Sequence, residues 1–195
     1  MIINETQILN YSKKLSQYIF AIFLLSLLGS CEDEVVTILA QDEKDEIILT
    51  SYFQENDIQN VQQSSTGLYY VVLEEGAGEQ VPNQAAVTTE FRTKILNEKV
   101  VESSEFIGQR VFQTATGQIA TGIGDDGKYE FGNSVVMAAE VEAVKEMVVG
   151  GKRRLYVPSR LGYPSGIGSN NSSSGIRIPA NTVTTVDIEV IKFEL

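Results

Sequence analysis

The residues best placed to do chemistry lie in a long loop near the C-terminus, between Pro158 and Pro179. Tyr163 is the one large aromatic residue of this loop, and it lies among glycine, proline and serine. The preceding residues, 152–157, alternate basic and apolar side chains in the manner of a strand. Proline then stops the strand, because it cannot donate to a strand ladder. The pattern predicts a scaffold that presents an aromatic side chain.

The composition excludes several classes of chemistry. The 195 residues include no histidine and one cysteine, which rules out Ser-His and Cys-His nucleophiles and histidine metal sites. The formal net charge of -11 argues against nucleic-acid binding through phosphate neutralisation. We expect no metal, no cofactor and a solubilising acidic surface, on one domain with extensions.

The first 30 residues have the pattern of an export signal. Lys13 and Lys14 precede an apolar run over residues 18–28, which is too short to span a bilayer comfortably. The following Gly29-Ser30-Cys31 resembles the lipoprotein lipobox, in which the cysteine is acylated and becomes the mature N-terminus. We expect residues 1–30 to be a lipoprotein signal peptide and Cys31 to anchor the protein to the membrane by lipid. The alternative is a plain signal peptide with an incidental cysteine.

Residues 31–64 are interpreted as an acidic linker and a short helix. The acidic cluster at residues 32–34 resembles a surface-export signal of Bacteroidetes lipoproteins, although an acidic linker is also simply soluble. Acidic first turns and an apolar stripe predict a helix over residues 41–56. The expected location is the cell envelope, as an outer-membrane lipoprotein that faces the periplasm or the cell surface.

Residues 65–195 have the pattern of one domain. Runs that favour strands occupy residues 68–73, 87–96, 100–102 and 183–195. Apolar residues at helical spacing predict a helix over residues 138–148, which Gly150-Gly151 terminates. Glycine-rich residues near 105–128 predict a flexible insertion, in which Asp126-Gly127 could form a hairpin turn.

Two segments resemble the FKBP-type peptidyl-prolyl cis-trans isomerase family. The strand and loop that run from Gly151 to Tyr163 are similar to the family's GGKRRL strand and its tyrosine-bearing loop. The segment that begins Ile178-Pro179-Ala180-Asn181 is similar to the family's IPPN segment and final strand. The resemblance covers roughly residues 65–195. It implies an α+β fold in which a bent antiparallel β-sheet wraps around one short helix, here with an N-terminal helical extension.

The resemblance also implies site residues. Tyr163 would donate a hydrogen bond to the substrate carbonyl, and Glu102 stands at the place of a pocket aspartate. The implied substrate-binding residues are Phe91, Val101, Tyr129, Val136, Met137, Glu140, Ile178 and Val186. The backbone N–H of Met137 would contact the ligand.

Several of these residues depart from the family. Phe91 lacks the hydroxyl of the family tyrosine, and Val101 and Val186 are smaller than the phenylalanines they replace. Glu140 stands where the family has the tryptophan of the pocket floor, or Ala139 does if the alignment moves by one. A carboxylate at the floor would be costly to desolvate, and an alanine would leave a hole.

The implied function is isomerisation of prolyl bonds during the folding of exported proteins. Such a site needs no nucleophile, since the barrier of about 18–20 kcal/mol comes from amide resonance and falls when the twisted amide is bound away from water. The pocket substitutions favour the alternative, a catalytically weak or inactive FKBP-like module that binds polypeptides in an envelope complex. The expected partners are proline-containing polypeptides and the membrane but no nucleic acid, and the expected state is a monomer. The insertion could close over the pocket or merely lengthen a hairpin.

Overall fold

The computed structural model describes residues 39–96, 99–167 and 174–195, which belong to one compact unit that starts at Leu39. The helices are α1 (Gln41–Glu55), α2 (Ser104–Ile107) and α3 (Ala138–Lys145), with a 3-10 turn at Ser159–Leu161. The strands are β1 (Gln62–Gln63), β2 (Tyr69–Glu74), β3 (Ala86–Ile95), β4 (Val100–Ser103), β5 (Arg110–Gln113), β6 (Gln118–Ile123), β7 (Tyr129–Val135), β8 (Lys152–Val157) and β9 (Thr184–Glu194). The expected α+β class is confirmed.

The strands form one antiparallel sheet in the order β1-β2-β8-β9-β3-β5-β6-β7, and β4 pairs with β3 off this path. The final strand, β9, lies in the interior of the sheet between β8 and β3. Its alternate residues Thr184, Val186, Ile188 and Val190 are buried. Because successive side chains of a strand point to opposite faces, this alternation gives β9 one core face.

Helix α3 contributes to the core that this face borders. Ala139, Ala143 and Val144 are buried in the same apolar cluster as Val186 and Ile188. The helix ends at Lys145, three residues earlier than the sequence pattern predicts. The backbone beyond it bonds to other segments: Val149 and Gly150 donate their N–H groups to the carbonyls of Glu79 and Val190. These hydrogen bonds take the place of those that a further turn of helix would make.

Helix α1 packs against strands β2 and β8 of the same unit. Leu49 is fully buried beside Tyr156 and Val183. The ring of Phe53 lies edge-on to Tyr156, with 4.9 Å between centroids, and 5.5 Å from Tyr69. The helix predicted over residues 41–56 is therefore present, but it is part of the compact unit and not a spacer in front of it.

The glycine-rich segment is ordered in the structure and contains α2, β5 and the β6–β7 hairpin. Strand β5 pairs with β3 from Arg110 to Gln113, so it belongs to the central sheet. The hairpin turn runs from Gly124 to Lys128, where Gly124 donates its N–H to the Lys128 carbonyl. Gly127 has φ = 77°, a backbone angle that glycine adopts without strain. Strands occupy the segment that was expected to be a loop, and the hairpin turn at Asp126-Gly127 is found.

Some expectations fall outside the described residues. The signal peptide at residues 1–30 and the anchor Cys31 lie there. Within the described ranges, no helix is long and apolar enough to cross a membrane. The same ranges contain no cluster of three or more acidic or cysteine side chains placed to hold a metal ion.

Candidate active site

A cavity of about 1080 Å³ opens beside the N-terminus of α3. Its walls come from the α3 N-terminus, the β6–β7 hairpin and the loop after β8. Five of the residues expected in the pocket line it: Glu102, Val136, Met137, Glu140 and Tyr163. The lining also includes Arg110, Ile119, Val141, Leu161 and Ile167. The lining is mixed, because polar and charged side chains such as Thr116, Ser134, Glu142, Lys145 and Arg160 also belong to it.

Tyr163 is held in the cavity by the loop that follows β8. The loop leaves the strand at Pro158 and passes through the 3-10 turn, and Tyr163 then forms an isolated bridge with Thr182. Within the described part of the chain its hydroxyl makes no hydrogen bond. Burial, followed by the charges of Glu140 and Glu102, raises the pKa of Tyr163 well above its usual range. The hydroxyl therefore stays protonated at physiological pH and is available as a donor.

Three charged side chains form a buried network at the charged end. Arg110 donates from Nη2 to Glu102 Oε2 at 2.6 Å and from Nη1 to Glu140 Oε1 at 3.0 Å. Its guanidinium carbon also lies 3.6 Å from the centroid of the Phe91 ring. Because Glu140 is 0% exposed and Arg110 only 7%, this network is largely dry and its hydrogen bonds are correspondingly strong.

The pKa values of the network follow from burial and pairing. Burial raises the pKa of Glu140 above its ordinary value, and Arg110 together with the Met137 N–H opposes that rise without cancelling it. For Arg110, burial lowers the pKa, but the charges of Glu140 and Glu102 outweigh burial and raise the pKa overall. Arg110 is therefore a fixed positive charge under the cavity.

Glu140 also caps the N-terminus of α3, the helix to which it belongs, through its second carboxylate oxygen. Glu140 Oε2 accepts the backbone N–H of Met137 at 3.1 Å. Met137 is the residue immediately before the helix, and a glutamate three residues into a helix commonly reaches back to such a group. The N–H that the resemblance assigned to the ligand is thus already bonded inside the protein.

Four other expected pocket residues are buried and do not line this cavity. They are Phe91, Val101, Ile178 and Val186, each at most 4% exposed. Arg110 covers the ring of Phe91, and Ile178 is bonded through its backbone to Ile167. The expectation that these four line the cavity is not met: they belong to the buried core.

Tyr129 lies in a different part of the molecule. It begins strand β7, pairs with Ile123 and packs near Phe131, with 6.5 Å between ring centroids. Lys192 at the end of β9 is its charged neighbour. The expectation of a pocket wall at Tyr129 is wrong, because the β6–β7 hairpin carries the residue away from α3.

The sequence pattern missed Arg110, the centre of the charged network. It sits inside a glycine-rich segment that was interpreted as a flexible loop, so no strand was assigned to it. The apolar pair Val111-Phe112 that follows it is a weak local signal, and it is too short to predict a strand by itself. Its partners are distant in sequence, and the fold alone shows them.

Comparisons with known proteins agree with this geometry. The sequence model of the family "FKBP-type peptidyl-prolyl cis-trans isomerase" matches residues 77–191. The chain is 25% identical over 143 residues to the probable FKBP-type peptidyl-prolyl cis-trans isomerase FkpA of Neisseria meningitidis, with 73% of this chain and 44% of the relative covered. It is 25% identical over 154 residues to FkpA of Buchnera aphidicola, with 77% and 51% covered. The chain spans about half the length of these relatives.

Solved structures show the same fold. FkpA from Escherichia coli aligns with a TM-score of 0.56 at 18% identity and covers 98% of this chain and 74% of its own. The N-terminal domain of FKBP42 from Arabidopsis thaliana aligns with a TM-score of 0.52 at 15% identity, over 70% of this chain and 94% of its own. Since the family match spans more than half of the 195 residues, this chain belongs to the FKBP-type peptidyl-prolyl cis-trans isomerase family.

Proposed function

We propose that this protein is a peptidyl-prolyl cis-trans isomerase that acts on proline-containing segments of exported polypeptides. The observation that carries the proposal is the Tyr163 hydroxyl, a protonated donor without a partner in the described residues, in a cavity that also exposes the apolar side chains of Val136, Met137 and Ile167. The substrate's proline would lie against Val136, Met137 and Ile167, and its preceding carbonyl would accept from Tyr163.

This arrangement lowers the barrier without covalent chemistry. A twisted prolyl amide loses resonance, so binding that conformation more tightly than the planar one accelerates the exchange. The apolar side chains of Val136, Met137 and Ile167 would displace water from the proline, and the Tyr163 hydroxyl would fix the carbonyl at a defined angle. Arg110 adds no net positive potential at that carbonyl, because Glu102 and Glu140 balance its charge.

The test is a protease-coupled isomerisation assay on the full-length protein with a proline-containing tetrapeptide. We expect a rate above the uncatalysed exchange, and Tyr163→Phe should lower kcat/KM by about tenfold, in keeping with the loss of one hydrogen bond of about 0.5–1.5 kcal/mol. Tyr129→Phe is the matched control, because it removes a tyrosine hydroxyl outside the cavity. Equal losses in both variants would contradict the assignment of Tyr163.

One observation favours a second candidate, a module that binds polypeptides with little or no catalysis. The Arg110–Glu140 pair lies at the cavity floor, and the Met137 N–H is already bonded to Glu140. A proline ring would meet charge there, and one donor is withdrawn from the ligand. Binding of a proline-containing peptide, measured by calorimetry without any rate above background, would support this candidate and reject the first.

We propose in addition that the protein is a monomeric lipoprotein of the cell envelope, anchored at the outer membrane through Cys31. The support is sequence pattern: a short apolar run before Gly29-Ser30-Cys31 and an acidic segment after it. Incorporation of labelled palmitate that disappears in Cys31→Ser would support the anchor, since acyl chains make the attachment. Unlabelled wild-type protein would reject it. Protease treatment of intact cells would distinguish the periplasmic side from the cell surface.

A further inference from the structure

A buried carboxylate joins helix α1 to the loop that carries Tyr163. Asp45 is 0% exposed. Its Oδ2 accepts the backbone N–H of Ser159 at 2.8 Å and the Ser159 hydroxyl at 2.7 Å, and its Oδ1 accepts from Gln41 Nε2 at 2.7 Å. A buried carboxylate needs such donors to offset its desolvation, and here two of the three belong to one residue of the active-site loop.

An ion pair forms a second contact between α1 and the loop that carries Tyr163. Arg160, the next residue of the 3-10 turn, lies 3.2 Å from Asp42 at the start of α1 and also donates to the Thr66 carbonyl. Arg160 and Asp42 are partly exposed, so this ion pair contributes little energy by itself. It does place a second contact between α1 and the turn.

The position of Ser159 affects the position of Tyr163, which follows it by four residues. Leu161 and Gly162 donate their N–H groups to the carbonyls of Pro158 and Ser159, which closes the turn. A Cβ atom on Gly162 would lie 3.1 Å from Val157 Cγ1 and 3.3 Å from Met137 Sδ, so the backbone passes tightly between the strand end and α3. A shift of Ser159 would therefore move Tyr163 or force this contact apart.

We propose that Asp45 is a positioning residue for Tyr163, and that α1 acts as a brace that holds the active-site loop in place. This inference rests on the isomerase function proposed above. Helix α1 lies outside the family match at residues 77–191. Its apolar contacts through Leu49 and Phe53 dock the helix, whereas Asp45 fixes the loop.

The experiment compares Asp45→Ala with Leu49→Ala in the full-length protein. Leu49 is buried in the α1 interface but bonds nothing in the loop, so its replacement weakens docking without releasing Ser159. At a temperature where both variants are folded, Asp45→Ala should lower kcat/KM by about tenfold, because small misplacements of catalytic groups cost rate steeply. Leu49→Ala should stay within about twofold of wild type. Equal losses would overturn the proposal.

Two further readouts separate positioning from stability. In a Tyr163→Phe background, Asp45→Ala should lower kcat/KM by less than about twofold, because its effect passes through the missing hydroxyl. A full additional loss would overturn the proposal. Asp45→Asn should recover most of the rate, since its amide oxygen can accept from Ser159 while its NH₂ group bonds a rotated Gln41 amide; a rate as low as that of Asp45→Ala would also count against it.

A third readout does not depend on catalysis. If wild type shows no isomerase activity, the proposed function fails, and the brace is judged by hydrogen exchange. Asp45→Ala should raise the exchange rates of the Leu161 and Gly162 amides by at least about tenfold, and leave those of β9 near their wild-type values. Unchanged exchange in the turn would overturn the brace by itself.

Discussion

At the scale of single residues, Arg110 organises the charged end of the candidate site. Its guanidinium covers Phe91 and joins Glu102 to Glu140. In the family resemblance the floor is a tryptophan, whereas here an ion pair occupies the same end of the cavity. A charged floor of this kind changes which substrate side chains can enter, because a proline ring gains less from contact with charge than from an aromatic face.

Removing Arg110 should leave a buried, uncompensated carboxylate. We expect Arg110→Ala to lower the free energy of unfolding by about 3–5 kcal/mol at pH 7, measured by urea denaturation. The double variant Arg110→Met/Glu140→Leu removes both charges of the floor and should recover most of that loss. If the double variant is as unstable as the single one, lost packing and not the unpaired charge is the cause.

The network should also make stability depend on pH. Because burial raises the pKa of Glu140 in the folded state above its ordinary value of 4.5, the folded protein keeps this proton to a higher pH than the unfolded chain. The contribution of this proton to the free energy of unfolding is fully present below pH 4.5 and is lost as the pH rises through the folded-state pKa. Relative to Glu140→Gln, wild type should therefore lose stability with rising pH in urea denaturation. A relative gain would show that Arg110 outweighs burial.

At the scale of elements, two helices contribute to the position of the site. Helix α3 brings Met137 and Glu140 to the cavity and is capped by its own glutamate. Helix α1 contacts the loop that carries Tyr163 through Asp45. The strands between them, β4 and β5, supply Glu102 and Arg110. The site therefore depends on the relative positions of four elements: α1, α3, β4 and β5.

The docking of α1 can be measured through its buried face. Leu49→Ala removes a fully buried side chain, and we expect a loss of about 2–5 kcal/mol in the free energy of unfolding. Ile47→Ala is the control on the same helix, since Ile47 is 53% exposed and its replacement should change stability by about 0.5 kcal/mol or less. Equal effects at the two positions would show that α1 is not packed as described.

At the scale of the whole molecule, α1 and the sheet belong to one compact unit that starts at Leu39. The central strands β3 and β9 pair over ten residue positions, although about 90 residues of chain separate them. Long-range pairings of this kind make folding cooperative, because few of them are stable alone. The segment between α2 and the hairpin contributes β5 to this sheet, so its removal would open the core.

Cooperativity predicts a single unfolding transition. Far-ultraviolet circular dichroism follows helix and sheet, and near-ultraviolet dichroism follows the tyrosine cluster of Tyr52, Tyr69 and Tyr156 at the α1 interface. The two signals should give the same midpoint in urea, and both midpoints should shift together in Leu49→Ala. An earlier loss of the tyrosine signal would show that α1 detaches before the sheet unfolds.

The sequence by itself determined the family and the fold class, and it singled out Tyr163, which lines the cavity. These features can be recognised from sequence because Gly150-Gly151, the loop prolines and the alternation in β9 are local signals. In each of them, the residue type suits the backbone conformation at its own position. The helix at residues 41–56 was readable for the same reason.

Only the tertiary structure decided what surrounds Tyr163. Arg110, Glu102 and Glu140 meet across segments up to 38 residues apart, and Asp45 meets Ser159 across 114. Pairings between residues so far apart cannot be recognised from the sequence. Many acidic residues could pair with a given donor, and only the packing of the fold decides which of them does. The same reason explains why Phe91 and Val186 were placed on the cavity surface: residue type predicts burial, but only packing decides what lies in front of a buried side chain.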